Sequence, residues 1–305
     1  MKIAIFGSGG VGGYFGGRLA AAGEDVSFLA RGAHLQALRQ DGLRIESPNG
    51  SIHVPTVHAT DRPDDVGPVD VVLFTVKLYD VETAAATLAP MIGPDTVVIT
   101  LQNGVEAVDM VTRHVGLDHV AGGAAYVVAV IDKPGHVRHT VAQQLVFGEA
   151  DGTRSARLVA FEEAGVRAGY QAKASTEVDT DLWVKFVRLS TWSGMTAVTR
   201  SPMGVIRDDA DLFAMMMAAV EETTAVGRAR GIRFPDTLID GTLKLIHGFP
   251  AESKSSLLED LERGRRLELP WLSGAVARLG RESGVATPIH QFISTVLNPF
   301  VNGAP

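Results

Sequence analysis

Two patterns of hydrophobic positions follow one another along the chain and predict two kinds of structure. In the N-terminal part, nearly continuous apolar runs at 69–76 and 95–101 are rich in β-branched residues, as is typical of strands buried on both faces. Shorter runs at 126–131, 137–140 and 145–148 surround a Lys-Pro-Gly turn and predict antiparallel strands at the sheet's edge. The pattern therefore predicts an α/β domain whose parallel sheet has an antiparallel extension.

After about residue 175 the strand signals stop, and apolar residues recur with helical spacing. Asp208 or Asp209 and Ser255 are suited to helix N-caps. The helices are predicted at 181–197, 209–229, 235–248, 255–266, 272–283 and 288–298. We therefore expect an α/β domain over 1–175, followed by an all-α domain over 176–305.

The N-terminal strand runs directly into a glycine-rich turn. Residues 2–6 (KIAIF) precede a Gly-x-Gly-x-x-Gly sequence and a helix-like stretch, in the order Gly7-Ser8-Gly9-Gly10-Val11-Gly12. In such a turn the first glycine permits a tight bend, the second lets the backbone approach a pyrophosphate, and the third lets helix and strand pack closely. The helix N-terminus then faces the phosphates. We predict a Rossmann domain in which these six residues bind a dinucleotide.

The residue after the second strand indicates which dinucleotide binds. An NAD site usually has Asp or Glu there to accept hydrogen bonds from the ribose hydroxyls, whereas this chain has Arg31. A guanidinium is suited to a 2′-phosphate, so we predict NADP(H) rather than NAD(H). The alternative is that Arg31 is only a solvated loop charge.

Polar residues follow two further strands at the edge of the sheet where ligands bind. Lys77 follows one buried run, and Asn103-Gly104 follows the next. Ligands of open α/β sheets bind beyond the carboxyl ends of the strands, so these residues are expected on the same crevice as the glycine turn. The Asn103 amide is suited to holding the nicotinamide or a substrate oxygen. A solvated lysine and an ordinary Asn-Gly turn are the alternatives.

Composition limits the classes of partner. A net charge of −7 argues against nucleic acid or an anionic membrane as the main partner, and the absence of cysteine excludes disulfides and thiol catalysis. His136 and His139 lack a third ligand at suitable spacing, so no metal site is expected. The chain begins with a strand rather than a signal peptide, and no apolar run could span a bilayer. We expect a cytoplasmic enzyme.

The glycine turn and Arg31 belong to a longer series of motifs. The series continues with Val76-Lys77, 101–104 (LQNG), 182–186 (LWVKF), 256–260 (SLLED), 267–269 (LEL) and 284–288 (GVATP). In order and spacing these segments resemble the ketopantoate reductases (2-dehydropantoate 2-reductases) over nearly the whole chain. The resemblance implies an NADP-binding Rossmann domain, a helical substrate and catalytic domain, and an active site in the cleft between them. It also implies NADPH-dependent reduction of 2-dehydropantoate to pantoate in pantothenate biosynthesis.

The resemblance further implies roles for single residues. Lys185 resembles the family's general acid, which protonates the carbonyl oxygen as hydride arrives and stabilises the developing alkoxide. Glu268 resembles a glutamate that binds substrate and helps to position the site. Ser256 resembles a serine that donates a hydrogen bond to the substrate carboxylate. Asn103 resembles an asparagine that links nicotinamide and substrate, and Lys77 a lysine on the cofactor side. Without the resemblance, Lys185, Glu268 and Ser256 would be read as surface or capping residues.

Four positions depart from the family's pattern, and one of them is Ser273, which stands before Gly274 where many relatives have an asparagine. Where ketopantoate-specific members carry asparagines, this chain has Leu189, Ser193 and Met203. Ser193 keeps a hydroxyl and is a candidate for substrate binding, whereas Leu189 and Met203 cannot make a useful hydrogen bond. We therefore expect the reduction machinery to be retained and the substrate pocket to have changed.

Alternatives in substrate, reaction direction, class of function and oligomeric state follow from these departures and from what a sequence cannot specify. The substrate is a bulkier or less polar 2-keto acid or another carbonyl compound, or the enzyme works as a dehydrogenase of a hydroxy acid. A non-catalytic NADP(H)-binding sensor is the alternative from another class. The apolar segment 292–297 and the methionines 215–217 are compatible with a homodimer and equally with a monomer core.

Overall fold

The computed structural model describes residues 1–304, which form two compact units. The first unit contains Met1–Gln102 and Glu106–Val178, and the second contains Asn103–Val105 and the chain from Asp179 onward. Strands occur in the first unit, and the named elements of the second are helical. The predicted fold class, an α/β Rossmann domain followed by an all-α domain, is confirmed.

The first unit is built on a ten-stranded sheet with the order β4-β3-β9-β8-β7-β6-β1-β2-β5, and β10 pairs with β9. The six neighbouring strands β8, β7, β6, β1, β2 and β5 are parallel to one another. Strand β9 is antiparallel to β8, and β4 is antiparallel to β3. The strands are β1 Lys2–Phe6, β2 Asp25–Leu29, β3 Leu43–Glu46, β4 Ile52–Val54, β5 His58–Thr60, β6 Val69–Phe74, β7 Ile92–Thr100, β8 Val120–Lys133, β9 His136–Glu149 and β10 Gln171–Ala174.

Five helices accompany this sheet, and the apolar runs of the sequence form the core of the unit. The fully buried Ile5, Phe28 and Leu73 come from three neighbouring parallel strands, as their continuous hydrophobic sequences predict. The helices are α1 Gly10–Ala21, α2 Gly32–Asp41, α3 Val81–Ala85, α4 Ala107–Val115 and α5 Ala156–Arg167. The arrangement leaves the carboxyl ends of β1, β2, β6 and β7 at one edge.

The antiparallel extension is larger than its apolar runs suggested. The three runs at 126–131, 137–140 and 145–148 are parts of only two strands, β8 and β9, each of 14 residues. The bulges in their pairing interrupt the alternation of apolar and polar residues and so divide the signal. Helix α1 packs directly on this extension, since a Cβ at Gly10 would lie 2.0 Å from the Ala129 carbonyl oxygen.

Within residues 1–304, seven α-helices belong to the second unit, and two of them begin at predicted caps. Asp209 Oδ1 accepts hydrogen bonds from the N–H groups of Asp211 and Leu212, and Ser255 Oγ accepts one from Leu258 N. The helices are α6 Val178–Thr199, α7 Met203–Asp208, α8 Ala210–Ala229, α9 Leu238–Gly248, α10 Ser256–Glu262, α11 Ser273–Ser283 and α12 Pro288–Leu297. Their core includes Trp183, Phe186 and Ile293.

Two features of this unit differ from the sequence-based expectation. Helix α7 was not predicted, because six residues are too few to show helical periodicity. Helix α10 ends at Glu262 rather than 266, and Gly264 beyond it has a φ of +62°. Among the described residues, no helix combines the length and apolarity that crossing a membrane requires.

Candidate active site

The glycine turn joins β1 to α1 and leaves the start of the helix open. Gly7 has a φ of +101°, and a Cβ there would lie 2.9 Å from Val76 N, so a larger residue does not fit. A Cβ at Gly9 would meet only one atom, at 3.9 Å, so the space beside Gly9 is open. The Ser8 hydroxyl points inward and donates to the Leu29 carbonyl oxygen at 3.1 Å. The exposed face of the turn is therefore mainly backbone.

This arrangement fits the pyrophosphate of a dinucleotide. Helix α1 has no side-chain cap, so the N–H groups of its first turn, from Gly10 to Gly12, are available to an anion. Thr75 steadies the turn from the next strand, because its hydroxyl donates to the Gly7 carbonyl oxygen at 2.6 Å. Arg31 is the N-cap residue of α2 at the end of β2, and it is exposed. Its guanidinium is suited to the 2′-phosphate of NADP.

A buried glutamine that the sequence reasoning did not assign organises the neighbouring strand ends. Gln102 Nε2 donates to the carbonyl oxygens of Phe74 at 2.9 Å and Val76 at 3.1 Å. These bonds hold the segment after β7 against the end of β6, where the partly buried Lys77 follows. The signal was present in the sequence, since Gln102 lies between a buried strand and Asn103.

In the second unit, two predicted site residues that are 82 positions apart meet. Lys185 lies in α6, and its Nζ donates to Asn103 Oδ1 at 3.2 Å. Asn103 reaches this position because Val105, two residues on, packs against the helical core. The Asn103-Gly104 segment therefore belongs to the unit that carries the lysine.

Burial and a neighbouring charge act in opposite directions on the pKa of Lys185. Burial lowers the pKa of Lys185 to about 8, and the charge of Glu268 acts in the opposite direction. Glu268 is itself 6% exposed and precedes the short turn Leu269–Trp271. A cationic group with a pKa near neutral pH can both stabilise a negative oxygen and release a proton to it. The structure thus brings together three of the predicted residues.

Ser256, the predicted carboxylate-binding serine, is the exposed first residue of α10. Its neighbour Ser255 is buried, caps the helix and lies with its Oγ 2.6 Å from Thr196 Oγ1 of α6. The helix that carries Lys185 therefore also holds the start of α10. Thr196 was not anticipated, because a threonine inside a helical run has no distinctive pattern.

Leu189, Ser193 and Met203, three of the positions that depart from the family's pattern, have different surroundings. Leu189 lies one turn after Lys185 on α6 and is partly buried. Ser193 lies one turn further and is 0% exposed, and within residues 1–304 its Oγ has no hydrogen-bond partner. Met203 is also 0% exposed and packs in the helical core. Of the three, only Ser193 presents a polar group.

Together these features define an NADP-dependent oxidoreductase of the Rossmann class. A family model described as ketopantoate reductase PanE/ApbA matches residues 3–152, and the model of the C-terminal part of that family matches residues 177–300. The chain therefore belongs to the ketopantoate reductase family, which confirms the resemblance seen in the motifs. It is an NADP(H)-dependent enzyme that acts on CH–OH groups, so the sensor alternative is not favoured.

Individual relatives agree with this assignment. A 2-dehydropantoate 2-reductase from Mesorhizobium japonicum is 34% identical, with 94% of each chain covered. The crystal structure of a PanE/ApbA family ketopantoate reductase from Ralstonia eutropha superposes with a TM-score of 0.91 at 32% identity, covering 99% of this chain and 98% of that one.

A more distant likeness concerns the fold alone. A ternary structure of D-mandelate dehydrogenase with NADH and anilino(oxo)acetate has a TM-score of 0.89 at 21% identity, covering 99% and 98% of the two chains. In that protein the same fold holds NADH. The preference for a phosphorylated cofactor must therefore come from particular residues rather than from the fold.

Proposed function

We propose that this enzyme reduces 2-dehydropantoate to pantoate with NADPH, as a step of pantothenate biosynthesis. The observation that carries the proposal is the hydrogen bond from Lys185 Nζ to Asn103 Oδ1 beside the buried Glu268. A cation can protonate and stabilise the developing oxygen anion, an amide can orient the nicotinamide or the substrate, and a carboxylate can position the cation. The names of the relatives from Mesorhizobium japonicum and Archaeoglobus fulgidus support the choice of substrate.

The proposed chemistry assigns one task to each group. NADPH, when bound, supplies the hydride that forms the new C–H bond at the carbonyl carbon. The electron pair of the broken C=O π bond moves to oxygen, and Lys185 Nζ transfers its proton there, leaving a neutral amine that solvent reprotonates. Asn103 orients the nicotinamide and the substrate, Glu268 positions Lys185 and substrate, and Ser256 bonds the substrate carboxylate.

The remaining assignments are part of the same proposal. Residues 1–175 bind the cofactor through the turn Gly7–Gly12, Arg31, Lys77 and Asn103-Gly104, and residues 176–305 carry the catalytic and substrate-binding groups. Ser193 binds the substrate through its hydroxyl, which has no partner within the described residues. We further propose that the enzyme works in the cytoplasm, as a homodimer.

A less polar 2-keto acid is the second candidate substrate. Leu189 adjoins Lys185 on α6, and Met203 lies in the core, so neither position offers a hydrogen bond to the polar substituent of 2-dehydropantoate. A pocket without such partners discriminates weakly between polar and apolar substituents. The alternative therefore concerns the substrate's side chain and leaves the reaction unchanged.

The substrate is tested by the loss of NADPH absorbance with 2-dehydropantoate and with 2-keto acids of increasing apolar bulk. We expect 2-dehydropantoate to give the highest kcat/KM. A higher value for a branched or aromatic 2-keto acid would instead select the second candidate. No turnover of any 2-keto acid, with tight NADPH binding intact, would contradict the proposed function.

The two directions of the reaction should depend on pH in opposite ways. Reduction needs protonated Lys185, whose pKa is about 8, so log kcat/KM should be level below that pH and fall about one unit per pH unit above it. Oxidation of pantoate needs the neutral amine, so its rate should rise with pH through the same value. Initial rates of both reactions, measured from about pH 6 to about pH 10, test this expectation. Parallel profiles would remove Lys185 from the acid role.

A further inference from the structure

A line of buried polar side chains crosses the helical unit outside the groups that act on the substrate. Its members are Ser190 of α6, Thr223 of α8, Ser273 of α11 and His290 of α12, and each is 0% exposed. Polar groups this deep in an apolar core destabilise a protein unless they find partners. Here each one does, and the line connects four helices.

His290 determines the direction of the hydrogen bonds. Its Nε2 lies 3.1 Å from the Ala219 carbonyl oxygen, which can only accept, so Nε2 carries the proton. The same Nε2 lies 2.9 Å from Thr223 Oγ1. The other ring nitrogen, Nδ1, then accepts from the Ser273 hydroxyl at 3.2 Å. Burial lowers the pKa of His290 to about 4, so the ring is neutral near pH 7 and keeps this single arrangement.

One end of the line reaches α6 beside Lys185. Thr223 Oγ1 lies 3.4 Å from Ser190 Oγ, and the Ser190 hydroxyl donates to the Phe186 carbonyl oxygen at 2.7 Å. Phe186 follows Lys185 directly in the helix. The line therefore ends on the turn of α6 from which the lysine projects.

The other end reaches the segment of Glu268. Ser273 begins α11 directly after a short turn, which Trp271 N closes by donating to the Glu268 carbonyl oxygen at 3.0 Å. Helix α6 touches the same serine, because a Cβ at Gly194 would lie 2.7 Å from Ser273 Oγ. The line thus ends on the two segments that carry the acid and its carboxylate.

We propose that His290 is a positioning residue, which holds the Lys185 helix and the Glu268 turn at a fixed separation through Thr223 and Ser273. The charge of Glu268 favours the protonated form of Lys185, and this effect depends on the separation of the two groups. If the hydrogen bonds of this line are weakened, the pKa of Lys185 changes, and so does the position of its Nζ relative to the carbonyl oxygen of the substrate. The consequence for turnover rests on the proposed function, whereas the consequence for the lysine's protonation does not.

A second anchor makes this role separable from simple stability. The Glu222 carboxylate accepts hydrogen bonds from the backbone N–H groups of Ile289 at 2.8 Å and His290 at 3.0 Å. Helix α12 is therefore attached to α8 whether or not the imidazole keeps its partners. Removing the Thr223 hydroxyl should loosen the line and leave α12 in place.

The chain offers a matched set of variants. Thr223→Val removes the hydroxyl that contacts the imidazole and keeps the shape of the side chain, and Thr223→Ser restores the hydroxyl. Thr224→Val is the control, because Thr224 is 3% exposed on the same helix and its hydroxyl donates to the Val220 carbonyl oxygen of that helix at 2.8 Å. Ser273→Ala tests the other end and replaces Thr223→Val if that variant does not fold.

Two properties are measured. The first is kcat and KM for reduction, and the second is the pH titration of Lys185 by NMR in protein labelled with ¹³C-lysine. The Lys185 signal is identified by its loss in Lys185→Arg. We expect Thr223→Val to lower kcat roughly tenfold or more, with KM for NADPH unchanged, and to shift the lysine titration to lower pH. Thr223→Ser should restore both properties, and Thr224→Val should resemble the parent protein. Equal behaviour of Thr223→Val and Thr224→Val would overturn the proposal. A parent protein without turnover would contradict the proposed function, while the titration would still decide the role of His290.

Discussion

Replacing Lys185 by methionine should lower kcat for keto-acid reduction by about 10²- to 10⁴-fold, the range that a positioned general acid contributes. The partly buried amine contacts the Asn103 amide, and a thioether can neither donate the proton nor stabilise the negative oxygen. The affinity for NADPH, measured by fluorescence titration, should stay close to that of the parent protein. The change therefore acts on the chemical step.

A second variant of Lys185 separates the role of its proton from the role of its positive charge, and a variant of another lysine serves as the control. Lys185→Arg keeps a cation whose pKa is too high for proton donation, so we expect activity far below that of the parent and above that of Lys185→Met. Lys244→Met removes an exposed lysine of the same unit and should leave the rate unchanged. Substantial turnover by Lys185→Met would transfer the acid role to another group or to water.

Replacing Arg31 by alanine should weaken NADPH binding roughly 10- to 100-fold and leave NADH binding nearly unchanged. A charge-assisted hydrogen bond contributes about 1.5–3 kcal/mol, and only the phosphorylated cofactor has the 2′-phosphate to accept it. Because Arg31 is exposed at the start of α2, its removal leaves the core intact. The ratio of the two dissociation constants is thus the informative quantity.

The control for Arg31→Ala is Arg154→Ala, since Arg154 is an exposed arginine of the same unit that pairs with Glu162. Its loss should affect neither cofactor, which excludes a general effect of net charge. Increasing salt should reduce the advantage of NADPH in the parent protein and have little effect in Arg31→Ala. If Arg31→Ala binds both cofactors as the parent does, the selectivity for NADP has another source.

The features that sequence predicted well are those set by local geometry. The turn at Gly7 needs a positive φ and an uncapped helix start, both of which neighbouring residues specify. Asp209 and Ser255 act as caps because a cap depends on the next three residues only. Short strands such as β4 and β10 were missed, since three or four half-exposed residues carry too little periodicity.

The features that depend on distant contacts could not be predicted from the residues themselves. Lys185, between Trp183 and Phe186, reads as a surface lysine, and only its burial in the folded unit lowers its pKa. His290 shows nothing in sequence of its contacts with Thr223 and Ser273, which lie 67 and 17 positions away. The family's motifs pointed to Lys185 and Glu268, whereas the line of buried polar side chains could be seen only in the structure.

The tight packing at Gly10 also bears on how the cofactor preference can be engineered. Helix α1 lies against the Ala129 backbone with no room for a methyl group, so the glycine turn before it is fixed against the long β8–β9 extension. Library design aimed at NADH should therefore vary Arg31 and the exposed residues after it, and should leave the turn alone. Directed evolution is expected to recover changes at the start of α2 and to discard those at Gly10.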